Sequence, residues 1–299
     1  MTHCCQLNFP TRSIMDSVEF WSENSYQHID VLLKSGEPNS AVLQPYFQKN
    51  LKKIFNSFQS IYNQMIQKKK ENKYSNEMLM PYINHNQFLI LKSFIETNLL
   101  FIHLLERLKF EGYNGFSVLY EVTHHILYEQ LYVQEIFKPY NSLMEASSED
   151  VLIQANFRNI GLGNTPLECI YGQMYFWSII GAEHPSILMN VTQKEIAKLP
   201  KDMIQLMTDY ANQFNTVTYE LSLIYPTLNL YNLSEVYKTF KSLNEDFLLF
   251  LKNIDSNYIP KDVLNTLPEI YFSIKQHIVE EHEYVVLGLC EKFNVFFNK

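Results

Sequence analysis

The chain repeats itself, and no other feature constrains its fold as much. It has only two tryptophans, and each stands in the same triplet, Phe20-Trp21-Ser22 and Phe176-Trp177-Ser178. The offset is 177 − 21 = 156 residues. At that offset His28 falls on His184, and Asn56-Ser57-Phe58 falls on Asn212-Gln213-Phe214. Further on, Lys92-Ser93, Glu96 and Leu99-Leu100-Phe101 recur as Lys241-Ser242, Glu245 and Leu248-Leu249-Phe250, at an offset of 245 − 96 = 149. Last, His125-Ile126, Glu129, Tyr132 and Val133 recur as His277-Ile278, Glu281, Tyr284 and Val285, at 277 − 125 = 152. The offset changes where turn-forming residues collect, which is where a repeat tolerates a change of length. Four blocks in one order imply an internal duplication.

Each half reads as four helices, because apolar residues recur at helical spacing, as in Leu99, Leu100, Ile102, Leu104, Leu105 and Leu108. The predicted spans are 14–34, 41–67, 86–110 and 115–137, then 167–189, 193–224, 233–254 and 262–293. Breaks such as Gly36-Glu37-Pro38-Asn39 and Asn257-Tyr258-Ile259-Pro260 separate them. Short connections make neighbouring helices antiparallel. The expected architecture is therefore all-α, with two tandem up-down-up-down four-helix bundles. These occupy 14–137 and 166–299, after a tail over 1–13 and around a linker over 138–165.

The formal net charge of −8 argues against a nucleic-acid partner, which needs a basic footprint. Lys68-Lys69-Lys70 reads as a solvated interhelical loop. No window of eighteen apolar residues suggests a membrane span, and the N-terminal residues lack the apolar stretch of a secretory signal. Cys4, Cys5, Cys169 and Cys290 are placed as free thiols in a reducing compartment, so the cytoplasm is the expected location. His3 beside Cys4 and Cys5 reads as a floppy terminus rather than a metal site.

Four polar positions survive in both copies: His28/His184, Glu96/Glu245, His125/His277 and Glu129/Glu281. Imidazoles and carboxylates on apolar helices are costly to bury unless paired or bound. His125 and Glu129 are i and i+4, so they share one helical face, and His277 and Glu281 repeat the spacing. Two imidazoles and two carboxylates per half form a mixed nitrogen and oxygen set suited to iron, manganese or zinc. Tyr132 and Tyr284, seven residues beyond each histidine, could hydrogen-bond a ligand carboxylate. A His–Glu pair at i,i+4 is also what an ordinary ion pair looks like, so a structural role stays open for each residue. The doubled Glu-x-x-His motif of di-iron bundles is missing. His124 points to another face, and Glu280, His282 and Glu283 enrich the last helix without matching partners in the first copy.

The Phe-Trp followed seven residues later by Gln27-His28 or Glu183-His184, with the closing His-x-x-x-Glu helix, resembles the bacterial domain-of-unknown-function family 2935. That family is found mainly in Firmicutes and consists of tandem ferritin-like four-helix repeats. The resemblance covers residues 14–137 and 167–293 and implies a ferritin-like fold with a metal centre in each half. Carried over by residue, it touches His28, His125 and Glu129, and then Glu183, His184, His277, Glu281 and Glu283. Two acids of the family pattern are present as Glu183 and Glu283 but stand as Gln27 and Leu131 in the first half. The second site is therefore expected to be the better formed. Pro185 is expected to end or kink its helix.

The leading functional expectation is a metal-binding protein with one His/Glu site per bundle. Iron or manganese is favoured over zinc, in a redox-active or protective role. A metal-free helical scaffold or interaction module is the alternative, and a zinc-type metallohydrolase a further one. The sequence names no substrate and no protein partner, and it leaves a homodimer open.

Overall fold

The computed structural model describes residues 14–35, 43–71, 85–111, 118–138, 165–192 and 199–297. Among them there are helices and no strand. The chain divides into two compact units, Met1–Cys169 and Ile170–Lys299.

In the first unit, α1 (Ile14–Ser35), α2 (Pro45–Glu71), α3 (His85–Glu111) and α4 (Val118–Phe137) follow one another, and each packs on the next. Helix α1 also packs on α3 and α4. Apolar residues at three- and four-residue spacing give each helix one buried stripe. On α2 the stripe is Phe47, Leu51, Ile54, Phe58, Ile61 and Met65. The Phe58 ring meets Phe94 edge-on at 5.9 Å and Phe101 at 6.1 Å. Such pairs add about 0.5–1.5 kcal/mol beyond the area they bury. Lys68-Lys69-Lys70 is the last turn of α2 and not a loop, and Lys69 reaches Asp16 and Glu19 on α1. Among the described helices, α3 alone has the length and apolar content to cross a membrane. With 56% of its most apolar window buried inside the protein, it reads as a core helix.

The second unit holds most of α5 (Pro166–Val191), then α6 (Lys201–Ile224), α7 (Leu230–Asn257), the short α8 (Lys261–Leu264) and α9 (Glu269–Glu283). A π-helical stretch, Tyr284–Cys290, runs on from α9 into α10 (Glu291–Phe297). The expected single helix over 262–293 is thus interrupted before Pro268 and widened after Glu283. The Tyr237 hydroxyl donates to the Cys290 carbonyl at 2.7 Å, stabilising one end of the widened turn. Two helix starts are capped. Thr165 and Glu168 bond each other's backbone N–H at 3.2 and 2.9 Å, and the Asn229 side chain accepts from the Asn232 N–H at 3.0 Å.

Pro185 does not end α5, which continues six residues beyond it. The carbonyl four residues back belongs to Gly181, whose missing side chain lets the Phe214 ring approach closely. The linker reading over 138–165 and the tail over 1–13 lie outside the described residues, except at 138 and 165.

Burial corrects one register of the repeat. On α3 and α7 the buried positions coincide better at 244 − 98 = 146 than at 149, which sets buried Thr97 on exposed Asp246 and buried Leu108 on exposed Asn257. The shorter offset pairs Phe94 with Phe240, Asn98 with Asn244, Phe101 with Phe247, Leu105 with Leu251 and Leu108 with Ile254, all buried.

Candidate metal centre

Helix α1 carries His28 two turns beyond Trp21, and α4 carries His125 and Glu129 one turn apart. Side chains four apart on a helix lie above one another, so the two α4 residues meet where α1 crosses them. Glu129 ends between two imidazoles. Its Oε2 is 3.1 Å from His28 Nε2, and its Oε1 is 3.1 Å from His125 Nε2. All three side chains are buried, and Glu129 is 0% exposed.

The second unit builds the same object from α5 and α9. Glu281 Oε2 lies 3.0 Å from His184 Nε2, and Oε1 lies 3.2 Å from His277 Nε2. These residues are buried as well. Burial opposes ionisation of Glu281, but the two imidazoles, His277 foremost, outweigh it and hold the carboxyl well below its usual range. It is therefore a carboxylate at neutral pH. Buried His/Glu groups of this kind could hold a metal ion, since the atoms that meet, imidazole Nε2 and carboxylate oxygen, are metal-ligating atoms. Each such group offers two imidazole nitrogens and two carboxylate oxygens, a mixed set suited to iron, manganese or zinc.

The two units differ behind the site. His184 Nδ1 meets His282 Nε2 at 3.0 Å, and His282 Nδ1 meets Asn244 Oδ1 at 2.9 Å. The Asn244 amide nitrogen donates to the Phe240 carbonyl at 2.8 Å. Burial, then the neighbouring His184, holds the His282 pKa well below its usual value, so His282 is neutral. In the first unit the corresponding residue is Gln130 (282 − 152), whose Nε2 lies 3.2 Å from His28 Nδ1. The Ser25 hydroxyl donates to Gln130 Oε1 at 3.0 Å, and Asn98 donates to the Gln130 carbonyl at 3.2 Å.

Of the expected ligands, the structure buries His28, His125, Glu129, His184, His277 and Glu281 in groups that could hold a metal ion. Glu96 and Glu245 do not join them. Glu96 is exposed and lies 3.9 Å from Lys92, and Glu245 is exposed and lies 3.6 Å from Lys241. Both stand on the outward stripe of their helix, where a carboxylate keeps its water. Tyr132 and Tyr284 set their rings against Trp21 at 6.1 Å and Trp177 at 5.8 Å. Glu283 pairs with Lys252 at 2.6 Å, and Glu183 is half-buried. His124 is exposed.

Sequence reasoning passed over His282, Gln130, Asn98 and Asn244. At the 152 offset His282 does have a polar partner, Gln130, and at the corrected 146 offset the two asparagines coincide. His282 and Gln130 directly follow the ligand glutamates, and the two asparagines interrupt apolar stripes; those polar residues among apolar ones were the available signal. Compared with known proteins, the chain matches no family model, no curated protein and no solved structure.

Proposed function

We propose that this protein binds a redox-capable divalent metal, iron or manganese in preference to zinc, in ferritin-like four-helix units. Each half would contribute two imidazoles and one carboxylate: His28, His125 and Glu129 from the first, His184, His277 and Glu281 from the second. The observation that carries this reading is the buried carboxylate held between two Nε2 atoms, built twice from the same three residues. A metal there would supply one-electron chemistry and open coordination positions. The protein's part is to exclude bulk water and to hold imidazole nitrogen and carboxylate oxygen in a fixed set.

A second reading has an observation in its favour. The Nε2–oxygen separations of 3.0–3.2 Å are ion-pair distances, so in a metal-free scaffold each carboxylate would be flanked by countercharge once an imidazole is protonated.

Elemental analysis of untagged protein, purified without chelating resin, separates the two. Iron or manganese near one equivalent or more per chain, lost in Glu129→Gln and Glu281→Gln, is the expected result. Wild-type protein with no transition metal, which also takes up none when Mn(II) or Fe(II) is added anaerobically, would leave the scaffold reading.

A further inference from the structure

The pair His282 and Asn244 meets the candidate ligand His184 through a directed chain of hydrogen bonds. The chain has a fixed sense because it ends on a backbone carbonyl, which can only accept. The Asn244 Nδ2–H donates to Phe240 O, so Asn244 turns Oδ1 toward His282. That oxygen can only accept, so the proton of neutral His282 sits on Nδ1 and its Nε2 is a lone pair. The lone pair in turn requires His184 to carry a proton on Nδ1. Distances of 2.8, 2.9 and 3.0 Å make all three bonds ordinary ones. The proton of His184 that can leave is then the one on Nε2, the atom facing Glu281.

In the first unit His28 Nδ1 meets an amide instead. Gln130 offers its amide nitrogen to His28 Nδ1, which favours a proton on His28 Nε2, the atom a metal would have to occupy. Behind Gln130 stands the Ser25 hydroxyl, which donates or accepts equally well, so the amide can turn over. Asn98 bonds the Gln130 backbone carbonyl and the Gln134 side chain, and leaves the sense of the amide unset.

We propose that Asn244 and His282 are positioning residues that hold His184 with its proton on Nδ1 and its Nε2 directed at Glu281 for a metal. On this basis loss of His282 or Asn244 weakens metal uptake through His184. The proposal rests on the metal-binding reading for its consequence, but the place of the proton can be read without any metal.

The test has two arms. Long-range proton–nitrogen correlation spectra of the full-length, chelator-treated protein, with His184 assigned from His184→Gln, report which nitrogens carry protons. The expected result is a protonated His184 Nδ1 and a bare His282 Nε2. A bare His184 Nδ1 overturns the proposal, and this wild-type spectrum decides the point whether or not any His282 variant folds. In the second arm Co(II) is titrated optically into wild type, Glu129→Gln, Glu281→Gln, His282→Leu and His282→Gln. We expect Glu281→Gln to remove most of the uptake and His282→Leu to weaken it about tenfold or more. His282→Gln, whose amide oxygen can accept from His184, should restore part of it. Equal Co(II) affinity in His282→Leu and wild type overturns the positioning role while leaving metal binding intact. A protonated Nδ1 with no Co(II) uptake in any form overturns the metal reading, and with it the consequence for binding.

Discussion

Gly181→Ala sets two effects of opposite sign against each other, and the structure decides between them. Gly181 lies within α5, one turn before His184, and replacing a helical glycine by alanine ordinarily stabilises by about 0.5–1 kcal/mol. Here the added methyl would stand 2.7 Å from both Cδ1 and Cε1 of Phe214 and 2.9 Å from Cζ. A carbon–carbon contact needs about 3.5–4.0 Å, so something must move by nearly an ångström. The Phe214 ring is fully buried, with Phe247 at 5.6 Å and the His282 ring at 5.8 Å, so it has no free direction to yield. Overpacking of this kind costs about 1–3 kcal/mol, which exceeds the helical gain. The net expectation is a loss of about 1–2 kcal/mol. Urea denaturation followed by pulsed hydrogen exchange in α5 and α6 peptides would report the second unit by itself, with chelator present throughout. A variant as stable as wild type, or more stable, would show that Phe214 is not pinned and that the reasoning about this close approach is wrong.

Two further outcomes follow from groups that are buried in one ionisation state. Burial, then the charge of Glu245, pushes the Cys290 thiol up to about 12, so it should resist iodoacetamide at pH 8 until the second unit unfolds; rapid native-state labelling, read by peptide mass spectrometry, would contradict this. The folded pKa of His282 is depressed, so the unfolded chain takes up a proton that the folded state refuses, and stability falls as pH drops below about 6.5. Between pH 7.5 and 5.5, wild type should therefore lose up to about 1.4 kcal/mol more than His282→Gln, the difference being read from urea midpoints.

The helices were legible because each buries one stripe, and a stripe leaves a period in the sequence. Trp21 and Trp177, both 1% exposed, marked the strongest register because a large buried ring has few substitutes. The third helix misled for the opposite reason. Lys92 with Glu96 and Lys241 with Glu245 are surface i,i+4 pairs, and the exposed Leu100 and Leu249 flank them. Ordinary helix surfaces reuse such patterns without sharing a position in the fold. The core at the 146 offset was present in the sequence as Phe-x-x-x-Asn-x-x-Phe, in Phe94, Asn98, Phe101 and in Phe240, Asn244, Phe247. The two His-x-x-x-Glu pairs could be read from spacing alone. Whether each carboxylate would face its own helix's histidine and one from another helix depended on packing, which no local spacing contains. His282 stayed hidden because its partner in the other copy is an amide rather than an imidazole.

The triads should be read for chemistry rather than for stability, and their removal can show it. Taking one charge from a buried pair strands the other, which costs about 3–5 kcal/mol, whereas replacing the whole group by apolar side chains of similar volume is often neutral or stabilising. Glu281→Gln, measured with chelator present, should therefore destabilise the second unit by several kcal/mol. The triple change His184→Leu, His277→Met, Glu281→Leu should recover most of that loss and still bind no metal in its half. The surroundings support this expectation, since Trp177, Ile180, Ile274 and Ile278 already line the same helices with apolar surface. Around the triad the two copies have diverged, with Ser25 replaced by Gly181 and Gln130 by His282, while the three ionisable residues have not. A packing role would have let an apolar substitute in at one copy or the other. If the triple variant is less stable than Glu281→Gln, the ion pairs are themselves structural, and their doubling no longer argues for a metal.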